Sequence, residues 1–591
     1  MIKNFALLLN VSLLSALLVG CQLTPKSADS EFTELAHEVE LYRKQVEPYK
    51  NQSLDATYYL PNLSAAALEE QYQQRKAFLL RLADIPESQL SAENQINLTI
   101  LRSQIQNKAD AYRFKKHYMP LTSEGGFHSR VAIEAIGAND FSHASGFELY
   151  LSRLDQIPRF FEQNMAWMRK GIETGRVLPK VVLQGYESSI SGFISEDATQ
   201  SVFYSPFNTN SARLPDAQFA ALQARAKKVI NEKVMPAYQS YLKFFTEQYR
   251  PAARDTIALK DLPEGQAYYE NRVAHYTTTN MTVEQIHQLG LQEVARIRGE
   301  MEAIIKQVGF DGTFTEFTQF LRTDPQFYAT TAEQLLKEAT FISKRIDAQL
   351  PKLFHTLPRR PYGVAPVPAS IAPKYTTGRY FPASNDQEAG YYWVNTYALD
   401  KRPLYVLEAL TLHEAVPGHH LQIALNEEMD HLPAYRRNEY ISAFGEGWGL
   451  YSEYLGLEVG FYQDPYSNFG RLTYEMWRAA RLVVDTGMHM YGWSREKAMN
   501  FMRDNTALSL HNVKTETDRY ISWPAQALSY KIGELTIKRL RADAEQKLGE
   551  HFDLREFHYQ VLRHGSIPLY VLEEQINQYI ERTLAQLGAS S

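Results

Sequence analysis

Cysteine is almost missing from this chain. A single one, Cys21, stands among 591 residues, which excludes a disulfide framework and any thiol nucleophile in the folded body. An excess of one charge is missing too. The 62 Lys and Arg face 68 Asp and Glu, a net of −6, with the two signs interleaved. A surface of that kind carries no nucleic-acid footprint. Beyond the first twenty residues no apolar run is long enough to span a bilayer, and no internal repeat or low-complexity tract stands out. Past the first thirty residues about 560 remain, too many for one core, so at least two lobes are expected.

The leader itself has a readable order. Lys3 supplies a short charged region, Phe5 to Leu18 an apolar run, and Leu18-Val19-Gly20-Cys21 a small-residue cleavage site. The run is short for a spanning helix, and its ending resembles a bacterial lipobox, which implies cleavage before Cys21 and a lipid on its sulfur. An ordinary secretory signal or a membrane anchor helix is the plainer alternative. Gln22, where Asp would mark the other route, resembles an outer-membrane address facing the periplasm. Residues 1–20 are therefore read as a signal peptide, and 21–55 as a polar, acidic tether running into a first helix.

Apolar residues at helical spacing dominate the remainder. They run from Ser64 to Ala109 with a break at Pro86, through FELYLSRLDQIPRFFEQNMAWMRKGIETG to Gly175, over about 215–248, and onward from a capping box at Thr282 and Gln285. The texture changes between Leu350 and Asn395. Prolines cluster from Pro358 to Pro373, and KYTTGRYFPASNDQEAGYYWVNTY reads as two aromatic, β-branched strands around a polar loop. An extended peptide can add to a free sheet edge, so this element, with Tyr392 and Asn395, is a candidate place for a substrate backbone. The 37 tyrosines suit an amphipathic groove but equally suit a large helical core. The fold class is read as mainly α: a large, two-lobed helical fold with a small β-element before the metal-binding helix. Residues 56–280 would form the N-terminal lobe and 281–591 the catalytic one.

The chemistry concentrates in LTLHEAVPGHHLQ, Leu410 to Gln422. A zinc hydrolase needs two neutral imidazoles on one metal and a glutamate beside the metal-bound water. The usual form is H-E-x-x-H, because a four-residue spacing puts both histidines on one helix face. Here His419 follows His413 by six residues, and on a straight helix the two would sit ~120° apart. Pro417 cannot donate to the His413 carbonyl four residues back, and its ring clashes there. The helix must bulge or break, and Gly418 tolerates the dihedrals that requires. With two residues looped out, His419 takes the place of the second ligand. His420 regains the face but lies ~10.5 Å further along a straight helix. A capped helix break with incidental histidines is the bland alternative.

A zinc site takes a third protein ligand and leaves the fourth position to water. Glu446, in SAFGEGWGLYSEYLG, is the best candidate, since an acid among small and aromatic residues is costly unless paired or metal-bound. Gly445, Gly447 and Gly449 would let its helix pack closely on another. Glu453, on the same face, is the second choice or a group that orients a ligand histidine. For oxyanion stabilisation the candidates are His489 and Tyr530. For a substrate carboxylate they are Arg481 or Lys531. Arg481 and Asp485 are four residues apart and can instead pair along a helix.

The metal motif, GEGWGLYSE, RLVVDTGMHMYGWSREKA (Arg481–Ala498), RYISWPAQALSYKIGEL (Arg519–Leu535) and HGSIPLYVLEEQI (His564–Ile576) resemble the domain of unknown function 885 family. Weaker matches lie in MRKGIETGRVLPKVV and MTVEQIHQLGLQEVARI. The resemblance covers nearly the whole chain after the leader and implies a helical, clefted, gluzincin-like metallopeptidase fold, similar to angiotensin-converting enzyme and the thermostable bacterial carboxypeptidases. By position it implies that His413, His419 and Glu446 hold Zn2+ and that Glu414 is the catalytic base. The expectation is a lipid-anchored zinc metallopeptidase acting on peptides. The alternatives are a non-catalytic lipoprotein that binds zinc or peptides, and a metal-dependent amidase acting on cell-wall fragments.

Overall fold

Apolar residues at three- and four-residue spacing fold most of the chain into helices, and hydroxyl caps start many of them. The computed structural model describes residues 26–50, 53–369, 371–383 and 388–590; the signal segment and Cys21 lie outside these. The fold is mainly α. Helices α2 (Ala65–Asp84) and α3 (Ala92–Arg113) flank Pro86 as the sequence implies. At α4 (Val283–Gln307) the Thr282 hydroxyl and the Gln285 side chain cap each other's backbone N–H groups.

Three readings change. The tether is shorter than expected, because α1 (Ala28–Val46) begins directly after the Ser27 cap. Phe32, Leu35, Ala36 and Val39 form one apolar face, which packs with Phe78, Leu82, Leu98, Leu101 and Tyr435 in a core of its own. The acidic composition of this stretch hid that face. The helix read through Gly175 is two, Ala144–Asp155 and Ile157–Glu173, since Pro158 cannot continue the backbone ladder. Leu121–Thr122 (β1) and Gly125–Gly126 (β2) pair as a minimal hairpin in a stretch where the helical pattern lapses and no strand was read.

The second sheet stands just ahead of the metal motif. It has the order β3-β5-β4, with β3 (Tyr362–Pro366) parallel to β5 (Gly390–Val394), and β4 (Gly378–Phe381) antiparallel to it. Both strands read from the sequence are present. The added β3 lies inside the proline cluster, at a sheet edge where proline is tolerated.

The principal core is continuous from Leu60 to Ile580 and crosses the expected boundary at 280/281. Its axis is α8 (Pro465–Met490), buried over almost its whole length. Arg471, Glu475, Arg478, Arg481, Asp485 and His489 recur along it at helical spacing, a polar stripe inside the core, and each finds a partner. Arg471 pairs with Glu475 at 3.1 Å, and Glu475 with Lys531 at 2.8 Å. Lys531, fully buried, also meets Glu293 at 3.0 Å and Glu534 at 2.7 Å. This network joins α4, α8 and α10 (Ser529–Leu548). Truncating one partner of a buried ion pair costs about 3–5 kcal/mol.

Asp485 does not pair with Arg481. It accepts hydrogen bonds from the Tyr269 hydroxyl at 2.6 Å and the Ala525 N–H at 3.1 Å, and burial lifts its carboxyl to about 7 despite these donors. A carboxyl raised above its unfolded value holds its proton more tightly in the folded chain. Its contribution to stability is complete below the unfolded value and lost as pH rises through 7. Asp485→Asn keeps an acceptor and a donor but cannot ionise. The stability of the variant, read from its thermal midpoint, should therefore gain on the wild type between pH 5 and pH 8 by up to about 3 kcal/mol. A gap that stays constant across that range would contradict the assignment.

Candidate metal centre

The metal motif folds as two helices, α5 (Leu407–Glu414) and α6 (His419–Glu427), joined by Ala415 to Gly418. The Val416–Pro417 peptide is cis. The loop folds tightly back on α5: a Cβ on Gly418 would lie 1.9 Å from the His413 carbonyl oxygen, so only glycine fits. The Trp448 indole N–H donates to the Pro417 carbonyl at 2.8 Å and holds the loop in place. His413 thus ends one helix and His419 begins the next. Their rings meet edge to face with centroids 4.7 Å apart.

Glu446 joins them from α7 (Ser442–Leu455). Its Oε2 lies 3.7 Å from His413 Nε2 and 3.5 Å from His419 Nε2, and one ligand atom from each of the three residues falls within 4.8 Å of the others. These separations are long for hydrogen bonds. They approach the ~3.3–3.5 Å between neighbouring ligand atoms that tetrahedral zinc with ~2.0–2.2 Å bonds requires. The donor set, two imidazoles and a carboxylate, fits such an ion.

Glu453 orients the first histidine, its Oε1 lying 2.7 Å from His413 Nδ1. That contact turns Nε2 toward Glu446. Arg478 of the α8 stripe stands 3.6 Å behind Glu453. Burial pushes the His413 ring down, but Glu446 and Glu453 outweigh it and lift the ring to about 9. Glu446 is held well below the carboxylate range by the two histidines, against its own burial. His419 Nδ1 has no partner among the described residues. A Cβ on Gly449 would come 2.8 Å from the His413 ring, so this glycine makes room for the imidazole, while Gly447 meets Gly533 of α10.

Glu414 is nearly buried, and its Oε2 accepts the Tyr380 N–H at 2.8 Å. The bond ties the outer edge of β4 to the end of α5. His420 turns the other way. Its Nδ1 meets the Tyr380 hydroxyl at 3.0 Å, its ring packs on Tyr362 and Tyr380, and burial pushes it down to about 4.

The other candidates separate cleanly. Tyr530 stays with the centre, its ring nearly parallel to that of His413 with centroids 6.4 Å apart. Arg481 does not reach a substrate. It is buried between the Trp477 and Tyr530 rings, with its charge on Glu516 at 3.0 Å and its Nε on the Tyr520 hydroxyl. Lys531 is enclosed by its three glutamates. His489 donates from Nε2 to the Tyr520 carbonyl and accepts the Leu259 N–H at Nδ1, leaving nothing for an oxyanion. Tyr392 is fully buried against Thr411. Asn395, also buried, binds the carbonyls of Ala372, Tyr375 and Thr376 and shapes the loop before β4. In each case the residue type was right for binding, but burial gave it structural partners.

Two neighbours of the centre were missed. Tyr440 flanks His419, with ring centroids 6.3 Å apart, and its hydroxyl is pushed up by burial and by Glu446. A cavity of about 310 Å3 opens beside it, lined also by Arg43, Arg75, Lys108 and His275. Arg379, on β4, is exposed and lies in the field of Glu414 and Glu446. No spacing rule singles out either residue.

Solved structures share this mainly helical fold. One is described as "the putative lipoprotein from Colwellia psychrerythraea". It is 29% identical, with a TM-score of 0.85, covering 94% of this chain and 99% of that one. Another, "a putative lipoprotein of unknown function from Shewanella oneidensis", is 19% identical with a TM-score of 0.70, covering 93% and 99%, and shares the fold. No curated protein matches. The chain belongs to the family described as bacterial protein of unknown function (DUF885), whose profile matches residues 50–576.

The ligand set makes a direct expectation. His413→Ala, His419→Ala and Glu446→Ala should each lower the zinc content of purified protein, read by elemental analysis, whereas His420→Ala should leave most of it. Loss of metal from His420→Ala with retention in His419→Ala would reverse the assignment.

Proposed function

We propose that this protein is a zinc-dependent metallopeptidase. The observation that carries the reading is the convergence of His413, His419 and Glu446, with Glu414 on the same helix end and bonded to a sheet edge. Bound there, zinc would supply a Lewis acid that makes water nucleophilic at neutral pH. The residues do the rest. Glu414, within reach of the Tyr380 N–H, is placed to take the proton of the attacking water and deliver it to the leaving amine. Tyr530 and Tyr440, whose rings flank His413 and His419, are the candidate hydroxyl donors for the developing oxyanion. Among the described residues strand β4 has a partner strand on one side only, and its outer edge faces Glu414, where an extended substrate backbone can be held in register.

The chain is also read as a lipoprotein, lipidated at Cys21, retained in the outer membrane and facing the periplasm. The leader motif supports this, as does the likeness to structures described as lipoproteins. None of the described helices is long and apolar enough to cross a membrane.

Two measurements test these readings. Glu414→Gln should keep fold and zinc while losing hydrolysis of short peptides by ~10²–10⁴-fold, the usual worth of a positioned general base. Equal activity in variant and wild type would reject the mechanism, and peptide binding without turnover in either would favour a binding lipoprotein. For the anchor, a clickable fatty-acid analogue should label the wild type in bacterial cells and not Cys21→Ser, which should leave the membrane fraction or stay unprocessed. An unlabelled wild type would remove the anchor.

A further inference from the structure

The centre is surrounded by cations that cannot reach a substrate. Arg478, Arg481 and Lys531 are all buried, and their charges face Glu453, Glu516 and the Glu293–Glu475–Glu534 group. Arg379 differs in every respect. It precedes Tyr380, the residue whose N–H binds Glu414, and its side chain leaves β4 on the face opposite to Tyr380. That face is exposed. Arg379 makes no ion pair with another described residue; its guanidinium sits 5.7 Å from the centre of the Tyr375 ring. Desolvation lowers its proton affinity, but Tyr375, Glu414, Tyr530 and Glu446 raise it further, so the charge is permanent.

The same face carries aromatic rings. Phe381 and Trp393 stack with centroids 4.5 Å apart at 16°, and Tyr375 meets Trp393 edge-on at 6.1 Å. Phe381 and Tyr391 are 49% and 44% exposed, far more than a sheet face needs for packing. Exposed rings beside a guanidinium that no described carboxylate pairs form a surface for an apolar side chain attached to an anion.

We propose that Arg379 anchors the free C-terminal carboxylate of the substrate, with the aromatic face of the sheet receiving the terminal side chain. The protein would then be a carboxypeptidase, which adds water across the last peptide bond and releases one free amino acid. This rests on the metallopeptidase reading. An arginine one residue from the strand position bound to Glu414 can hold a carboxylate one residue beyond the scissile bond, not one many residues away.

The test uses benzyloxycarbonyl-Gly-Phe and its C-terminal amide, with the amino end blocked in both. Zinc-loaded wild type should cleave the acid with kcat/KM about 10–100-fold above the amide, the worth of one charge-assisted hydrogen-bonded pair. In Arg379→Gln the ratio should fall toward one, and Arg379→Lys should restore part of it. Equal cleavage of acid and amide by the wild type, or an unchanged ratio in Arg379→Gln, overturns the proposal. If neither compound is cleaved, the metallopeptidase reading fails separately, and calorimetric binding to Glu414→Gln decides the arginine. Tighter binding of the acid, lost when Arg379→Gln is added, supports the anchor. Equal binding, or none, overturns it.

Discussion

Everything at the centre depends on one close passage of backbone, where Gly418 crosses the carbonyl of His413. A methyl group at Gly418 would overlap that oxygen, so the chain can leave α5 and enter α6 only at glycine. Without the passage the two histidines would face apart on a straight helix. With it, a four-residue loop does what a regular turn does in an H-E-x-x-H helix. It places two imidazoles against one carboxylate while leaving Glu414 at the end of the first helix. The loop has a clamp of its own in the Trp448 bond to Pro417, and Trp448 lies on the helix that carries Glu446 and Glu453. One helix therefore supplies the carboxylate of the cluster, the acid that orients His413, and the clamp.

Behind that arrangement lies the polar stripe of α8. A helix buried on all faces would ordinarily be apolar all round. Here its charged residues reach the centre indirectly. Arg478 stands behind Glu453, which orients His413. Arg481 is pressed against the Tyr530 ring, which lies beside His413. Lys531 and Glu475 hold α8 against the helix on which Tyr530 stands. These residues position others and do not themselves join the His413–His419–Glu446 cluster. Their burial makes the positions stiff, because any rotation would strand a charge in the core.

The legible parts of the sequence were those in which local chemistry dictates geometry. Pro417 and Gly418 announced a break, the capping box at Thr282 and Gln285 announced a helix start, and an acid among glycines announced Glu446. Charged residues whose partners lie far along the chain were not legible. Arg481 and Glu516, or Lys531 and Glu293, meet only after folding, and in sequence each looks available to a ligand. The reverse error hid Arg379, which lies in a short strand among aromatics and looks like an ordinary surface residue. Its importance comes from register: β4 pairs so that Tyr380 points its N–H at Glu414, which sets Arg379 beside the centre. The same limit hid β3, whose prolines argue against a strand until its edge position is known.

Charge gives the last constraint on what the centre can hold. Glu414, Glu446 and Glu453 gather around two imidazoles, and Arg478 is the one guanidinium in ion-pair contact with these acids among the described residues. Left to itself such a cluster recovers neutrality by taking up protons, and His413 accordingly holds one up to about pH 9. A divalent cation would bring the same compensation in a smaller volume and to all three ligand atoms at once. It would have to displace a proton in doing so. The three carboxylates that raise His413 therefore create the proton competition and also supply the field that favours a dication over it. Glu453 has a further part in this, because its bond to Nδ1 survives removal of the Nε2 proton and keeps the ring aimed at the ligand position.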